Sequence, residues 1–396
     1  MPMNHVLSIQ HFAGKIKSGG WSAMREAVTS FVRHVLETVL SLEQQEQMGC
    51  QPYERSVSRR DYANGTYHRI LSTSYGVIND LKVPRLRRRP FTSHLLERYK
   101  RRARELDHAL LLWYLQGESC RDVTRSLHSW AQDILSPQSV SRLLQTIDEH
   151  LLKWRQRPLP SSLVAVWLDG FSVRVRVRHN VRSYTILAAL GRHRDGRWEI
   201  LSFRLAESES EQRWMELLHQ MYRRGMRTQL FIHDGAEGIA QALCWDYPSV
   251  STQRCLIHKL SNLLDVVLTE EHRQAIKGHF WFIYNAPTLE EAHGRYHAFC
   301  RRWRSREPAA VKILRDDWLT TTTFFALPEG LRTVCRSTNM FEWVYHELRR
   351  RVKVIGAFPT PQSCERIIFL TLLYIQEVNL NKSGNIHSFF SKFTHN

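Results

Sequence analysis

The chain has 396 residues, 43% of them hydrophobic and 24% charged, which fits about two to four domains with buried cores and excludes a disordered polymer. Lys and Arg number 56 against 38 Asp and Glu, a net charge of +18 carried mainly by Arg. That imbalance points to a polyanionic partner, nucleic acid first, with solvated basic faces as the alternative. The seven cysteines (50, 120, 244, 255, 300, 335, 364) include no CxxC pair, so a disulfide framework is not expected and a reducing cytoplasm fits. The opening MPMNHVLSIQHFAGKIK lacks the pattern of a secretory leader, and apolar runs such as IIFLTLLYI fall short of the roughly 20 residues of a bilayer span.

Residues 22–48 carry Phe31, Val32, Val35, Leu36, Val39 and Leu40 at three- and four-residue spacing, an amphipathic helix whose stripe reads as core. TYHRILST and VINDLKV, parted by Ser74-Tyr75-Gly76, predict a hairpin ending at Pro84. Two basic blocks flank it: PRLRRRP, with Arg87, Arg88 and Arg89, and RYKRRAR at 98–104. Together they mark residues 1–104 as a DNA-binding region; singly, each is equally a solvated linker. Residues 105–157 predict a helix-turn-helix, from ELDHALLLWYLQG ending at Gly117, SCRDVTRSLHSW opening at Ser119, and SPQSVSRLLQTIDEHLLKW opening at Ser136-Pro137. The last helix would turn Gln138, Ser139 and Arg142 to a major groove, although many helical hairpins never touch DNA. RQRPLPSS at 155–162 reads as a linker, with a new domain from residue 158.

From there LVAVWLDGFSVRVRVR, SYTILAAL and RWEILSFRLA predict three antiparallel strands, with turns at His179-Asn180 and Asp195-Gly196. A helix capped by Ser208 or Ser210 and stopped at Gly225 follows, then strand TQLFIHD, helix AEGIAQALCWDY, strand STQRCLIH and helix KLSNLLDVVL. The fold class is α/β, a mixed sheet covered by helices in the element order of the ribonuclease-H-like fold. The catalytic domain would occupy 158–268 and 336–396, interrupted by an aromatic-rich helical stretch at 269–335.

Three acids stand out. Asp169 interrupts the first strand, on the parity of Phe171, Val173 and Val175, so it shares the buried face and needs a compensating partner; the plain alternative is an Asp-Gly turn. Asp234 ends LFIHD, where sites gather in open α/β sheets, or it caps the next helix. Glu342 lies in a helix capped by Thr338 or Asn339, whose Phe341, Val344, Tyr345, Leu348, Val352 and Ile355 form one stripe. It shares another side with His346, Arg349 and Lys353, Arg350 bordering, which is either a solvated charged face or a metal ligand among phosphate-holding bases. Such a trio suits two Mg²⁺ ions about 4 Å apart, one activating the attacking oxygen and one stabilising the departing oxygen, with Mn²⁺ as a substitute.

The blocks FIHDGAEGI and RSTNMFEWVYHELRRRVKVIGAFP, with QRCLIHKLSN, ESEQRW, PRLRRRPF, RYKRRARELDHALLLWYLQGESCRDV and SPQSVSRLL, resemble the mutator-type transposases of bacterial insertion sequences over about residues 50–380. The resemblance implies a DDE recombinase in which Asp169, Asp234 and Glu342 match the acidic triad, with Ser337 where Thr is commoner and Gly170 where Ala is commoner. It also implies the helical insertion, where Arg301, Arg302, Trp303, Arg304 and Arg306 would suit flanking DNA. The bases Arg349, Arg350, Arg351 and Lys353 would hold DNA phosphates. Cys255 and His258 match a C-x2-H pair of the family; two ligands do not close a zinc site, so they read as support behind the metal, with His233 and His346 in similar roles. The implied protein binds terminal inverted repeats and target DNA as a homodimer or larger assembly, in a bacterial cytoplasm at the nucleoid. The rivals are a nuclease that cleaves without joining and a non-catalytic DNA-binding regulator.

Overall fold

Helix α1 (Ile9–Met48) opens the chain and breaks at Gly20, whose φ of +60° lies in the left-handed region. The computed structural model describes residues 9–51, 53–97, 101–116, 125 and 137–380. Strands β1 (Ala63–Thr73) and β2 (Gly76–Leu86) pair antiparallel, with Thr73 opposite Gly76. Leu71, Ile78, Leu81 and Val83 of this hairpin pack on Leu40, with Val32 and Leu36 alongside. The predicted single stripe therefore splits. A two-stranded ribbon is narrow and covers one arc of the helix, leaving Phe31 and Val35 exposed. Strand β2 also runs two residues past Pro84, because both strands of a two-stranded sheet are edges, where a missing N–H is tolerated.

Arg87, Arg88 and Arg89 are exposed just beyond β2. The buried Asp61 shapes this turn, accepting from the backbone N–H groups of Tyr62 (2.7 Å), Arg88 (2.9 Å) and Arg89 (3.0 Å). Burial pushes its carboxyl up, and the three N–H donors outweigh that, holding it below its ordinary value.

Helix α2 (Arg104–Leu115) buries Leu106, Leu110, Leu111 and Leu115. Helix α3 (Pro137–Gln156) buries Val140, Leu143, Leu144 and Ile147 and leaves Gln138 and Arg142 exposed. The predicted middle helix at 119–130 lies outside the described residues except for Arg125, as do Gly117 and Ser136. The chain divides into two units between Ile147 and Asp148, inside α3. RQRPLPSS is tied down: Leu159 is buried, its N–H donates to the Arg224 carbonyl (2.8 Å), and the Arg227 N–H donates to the Pro160 carbonyl (3.2 Å).

In the second unit β3 (Ala165–Val177), β4 (Asn180–Arg192) and β5 (Trp198–Ala206) form an antiparallel meander. The first turn is Arg178-His179, one residue earlier than predicted, with Arg178 at φ +56°; the second has Gly196 at +87°. The short β6 (Leu230–His233) and β7 (Ser251–Arg254) add parallel on the other edge of β3, giving the order β5-β4-β3-β6-β7. Helix α4 (Glu211–Arg223) connects β5 to β6, and α5 (Glu237–Asp246) connects β6 to β7.

One sheet face, through Val166, Leu168, Leu187 and Phe231, packs on Trp214, Leu217, Leu218 and Met221 of α4 and on Ile239 and Leu243 of α5. The other face carries Trp167, Asp169 and Phe171 toward α12 (Asn339–Ile355), where Phe171 stacks on Tyr345 at 5.1 Å. Helix α13 (Pro361–Tyr374) joins it there, Phe369 meeting Trp154 at 5.6 Å. A helical block intervenes in sequence: α6 (Leu256–Asp265), α7 (Glu270–Tyr284), α8 (Leu289–Trp303), α9 (Pro308–Asp316), α10 (Trp318–Thr322) and α11 (Glu329–Cys335). Its core runs from Leu256 to Phe325, so α6 belongs to it, and the aromatic Tyr284, Tyr296, Trp303 and Trp318 are interior. Among the described residues no helix is long and apolar enough to cross a membrane.

Candidate active site

Strands β3 and β6 run parallel with Val166 opposite Phe231 and Trp167 opposite Ile232. Continuing that offset by two residues sets Asp234, just past the carboxyl end of β6, level with Asp169 inside β3, where side chains of paired residues share a face. The ladder continues to β7, with His233 opposite Arg254, and the Cys255 N–H donates to the His233 carbonyl (2.7 Å). Asp169 inside β3 thus lines up with Asp234 and Cys255, the residues that directly follow β6 and β7. The parallel sheet gathers there what the sequence separates by up to some 85 residues.

Each aspartate has one oxygen fixed locally: the Gly170 N–H donates to Asp169 Oδ1 (2.8 Å), and the Ala236 N–H donates to Asp234 Oδ1 (2.8 Å). Asp169 is therefore mid-strand and not a turn residue, and Asp234 precedes α5 by three residues, its N-cap being Ala236. Burial holds the Asp169 carboxyl up at about 7; the Gly170 N–H and the His258 charge oppose this, and Asp234 and Glu209 add to it.

Glu209 is the residue that sequence reasoning missed. It is the first residue of the block ESEQRW. Its Oε1 accepts from the buried Trp214 indole (3.1 Å), and its carboxylate lies over Gly170, where an added Cβ would meet Oε2 at 2.7 Å. Desolvation, then Asp234, pushes it up. The signal for it in the sequence is the glycine after Asp169, which leaves open the space that the Glu209 carboxylate fills.

Two features of this site ask for a cation. Asp169, Asp234 and Glu209 lie in one another's field, and the hydroxyl of the buried Tyr345, whose proton those same acids help to hold, has no hydrogen-bond partner. Hard oxygen donors of this kind fit a divalent ion. Among the described residues, however, no group of three or more His, Cys, Asp or Glu side chains stands close enough together to hold a metal ion.

Glu342 stands in the first turn of α12 and is exposed. The approach to that turn is stitched to the same strand ends: Trp167 Nε1 donates to the Ser337 carbonyl (3.0 Å) and the Leu256 N–H to the Arg336 carbonyl (2.9 Å). Thr338 is the N-cap residue, but its hydroxyl and N–H both donate to Cys255 Sγ (3.4 and 3.3 Å), not into the helix. Burial would raise the Cys255 thiol, yet hydrogen bonds from His258 and Thr338 bring it below its ordinary value. His258, bonded to that sulfur and facing Asp169 and Asp234, is raised to about 9 against the opposing effect of burial. Buried His233 is lowered to about 4 and so is neutral, its Nδ1 accepting from the Gly235 N–H (3.1 Å).

Along α12, His346, Arg349, Arg350 and Lys353 are exposed, with the Arg349 guanidinium 5.7 Å from the Phe171 ring centre. Arg351 is a correction to the basic row. It is buried and donates to Glu347 Oε2 (3.0 Å), because its angular position falls on the packed side of the helix. His346 lies 3.9 Å from Glu347 and 72% of its side chain is exposed, so it does not back the aspartates. Behind the site Arg254 and Lys259 share Asp317.

The Mutator family of transposases matches residues 9–379. The chain is 32% identical over 344 residues to the transposase for insertion sequence element ISRM5 of Rhizobium meliloti, covering 87% of this chain and 86% of that protein. It is 31% identical over 353 residues to the transposase for IS406 of Burkholderia multivorans (87% and 89%), and 27% identical over 362 residues to the transposase for IS256 in transposon Tn4001 of Staphylococcus aureus (90% and 92%).

Proposed function

The chain belongs to the Mutator family of transposases, and on that premise we propose that it binds the terminal inverted repeats of an insertion sequence, cleaves the ends and joins the freed 3′-hydroxyls to target DNA. The observation that carries this reading is the parallel pairing of Val166 with Phe231 and Trp167 with Ile232, a register that carries Asp234, just past β6, to the level of Asp169 in β3. The strand order β5-β4-β3-β6-β7, with its antiparallel half and parallel half, supports a ribonuclease-H-like catalytic domain.

Asp169 and Asp234 would hold the divalent ions, with Glu342 contributing from the first turn of α12. A bound pair of Mg²⁺ ions, or Mn²⁺ in its place, supplies activation of the attacking oxygen and stabilisation of the departing one. The chain's own part is position and charge. Glu209 adds a third carboxylate to the field of the aspartates, and the raised His258 keeps a positive charge beside them. Exposed Arg349, Arg350 and Lys353 would hold phosphates next to the cut. In the first unit the exposed Arg87, Arg88 and Arg89 would grip the duplex, and Gln138 and Arg142 on α3 would read it as part of a helix-turn-helix. Since two ends must be joined, the working form is a dimer or larger assembly on double-stranded DNA.

The test is strand transfer from end-containing DNA to a supercoiled target with Mg²⁺. Asp169→Asn, Asp234→Asn and Glu342→Gln should each lower cleavage and joining by on the order of 100- to 1000-fold or more. Near-normal activity in Asp169→Asn sinks the site, and hydrolysis without joined product makes the protein a nuclease. Full activity in Glu342→Gln with loss in Glu209→Gln would pass the third role to Glu209.

A further inference from the structure

Helix α1 has a second apolar row that no described residue of its own unit covers. Trp21, Phe31, Val35 and Leu42 are 81%, 54%, 42% and 53% exposed, and Met24 and Val28 lie on the same side. At 100° per residue the row is turned roughly 120° from the arc that meets the hairpin. Its spacing is 21, 24, 28, 31, 35, 38 and 42, a seven-residue repeat kept for three heptads. A repeat of 3.5 residues stays on one side only if the helix winds around another helix, whereas packing on a globular core follows 3.6. The polar member, Thr38, donates its hydroxyl to the His34 carbonyl of its own helix (2.9 Å), so it enters a dry seam without an orphaned donor.

We propose that this row binds the same row of a second copy of this chain as an antiparallel two-stranded coiled coil. The choice of occupant and direction comes from charge. Arg25 and Glu46, both exposed, occupy the same flanking heptad position at opposite ends of the row, 21 residues apart. Turning one helix end for end about a two-fold axis near residue 33 lays Phe31 against the partner subunit's Val35. It also brings Arg25 to within five residues, about 7.5 Å along the axis, of the partner subunit's Glu46, an offset that two long flanking side chains span, and the two-fold repeats the pair at the other end. In a parallel pair the two stay about 31 Å apart along the axis and never meet. The interface is independent of the catalytic reading and needs no DNA.

Sedimentation velocity of the full chain without DNA tests it. The wild type should reach twice the 46.7 kDa chain mass. Phe31→Asp combined with Val35→Asp should weaken self-association by at least about 100-fold. Both positions are solvent-facing in the single chain, so its circular dichroism should not change. Arg25→Glu and Glu46→Arg should each weaken the dimer by about tenfold, and the two together should restore it. A chain that stays monomeric throughout, or a dimer indifferent to Phe31→Asp/Val35→Asp, overturns the interface. Loss in both single charge variants without recovery in the double overturns the antiparallel pairing.

Discussion

Asp169 shows how a single residue can be held against its own stability. With its carboxyl raised from 3.8 to about 7, the folded chain keeps a proton there that the unfolded chain has already lost. The associated stability is complete below about pH 4 and disappears as pH rises through 7, so above that the buried charge is a cost. Asp169→Asn should therefore melt higher than wild type at pH 8 and show no such gain at pH 4, by thermal shift. A lower melting point at pH 8 would count against the buried-acid description. Mg²⁺ should raise the wild-type melting point at pH 8 and lose that effect in the Asn variant, a readout separate from catalysis. His258 runs the other way: raised to about 9 by Cys255 first, its contribution is present below its ordinary 6.5 and is lost as pH rises through 9. Cys255→Ala should bring its NMR titration midpoint down; an unmoved midpoint would mean that the sulfur does not set it.

At the scale of elements, short connections decide where the acids and bases point. Gly235 follows Asp234 at φ +93°, and an added Cβ would strike the Arg254 guanidinium, which Asp317 also holds. Gly235→Ala should cost on the order of 1–2 kcal/mol in urea unfolding, from the left-handed backbone and the displaced arginine. A neutral result would show that Arg254 moves freely. In the first unit Asp61 anchors the turn that displays Arg87, Arg88 and Arg89. Asp61→Ala should strip hydrogen-exchange protection from the Arg88 and Arg89 amides and weaken DNA binding, although the carboxylate it removes would repel DNA. Tighter binding would reverse that assignment. The Thr338 cap follows the same logic, its hydroxyl spent on Cys255 and not on the helix, so that the start of α12 is fixed to the strand ends.

Across the whole molecule the dominant quantity is the net charge of +18. Basic residues displayed on α12, at the end of β2 and on α3 should make log K for DNA fall with log salt at about −0.9 per phosphate neutralised. A flat dependence would contradict a phosphate-bound complex. Arg351 should add nothing to that slope, since it serves Glu347 inside the protein. Arg349→Ala and Arg350→Ala should each reduce it by about one.

Much of this was legible in the sequence, because periodicity, turn glycines and strand order are local. The hairpin at 63–86, the meander, the alternating β6-α5-β7 run and the stripe of α12 all follow from which side chains recur every two or every 3.6 residues. Asp169 was visible as a polar break in a strand for the same reason. What only the tertiary structure decided are relations between distant segments. The parallel register carries Asp234 to the level of Asp169, the Glu209 carboxylate lies over Gly170, Arg351 is turned inward, and the narrow hairpin leaves Phe31 and Val35 uncovered. A residue's pattern states which face it prefers. Which neighbour fills that face depends on strand pairing and on the width of the element opposite, and no local window of sequence contains either.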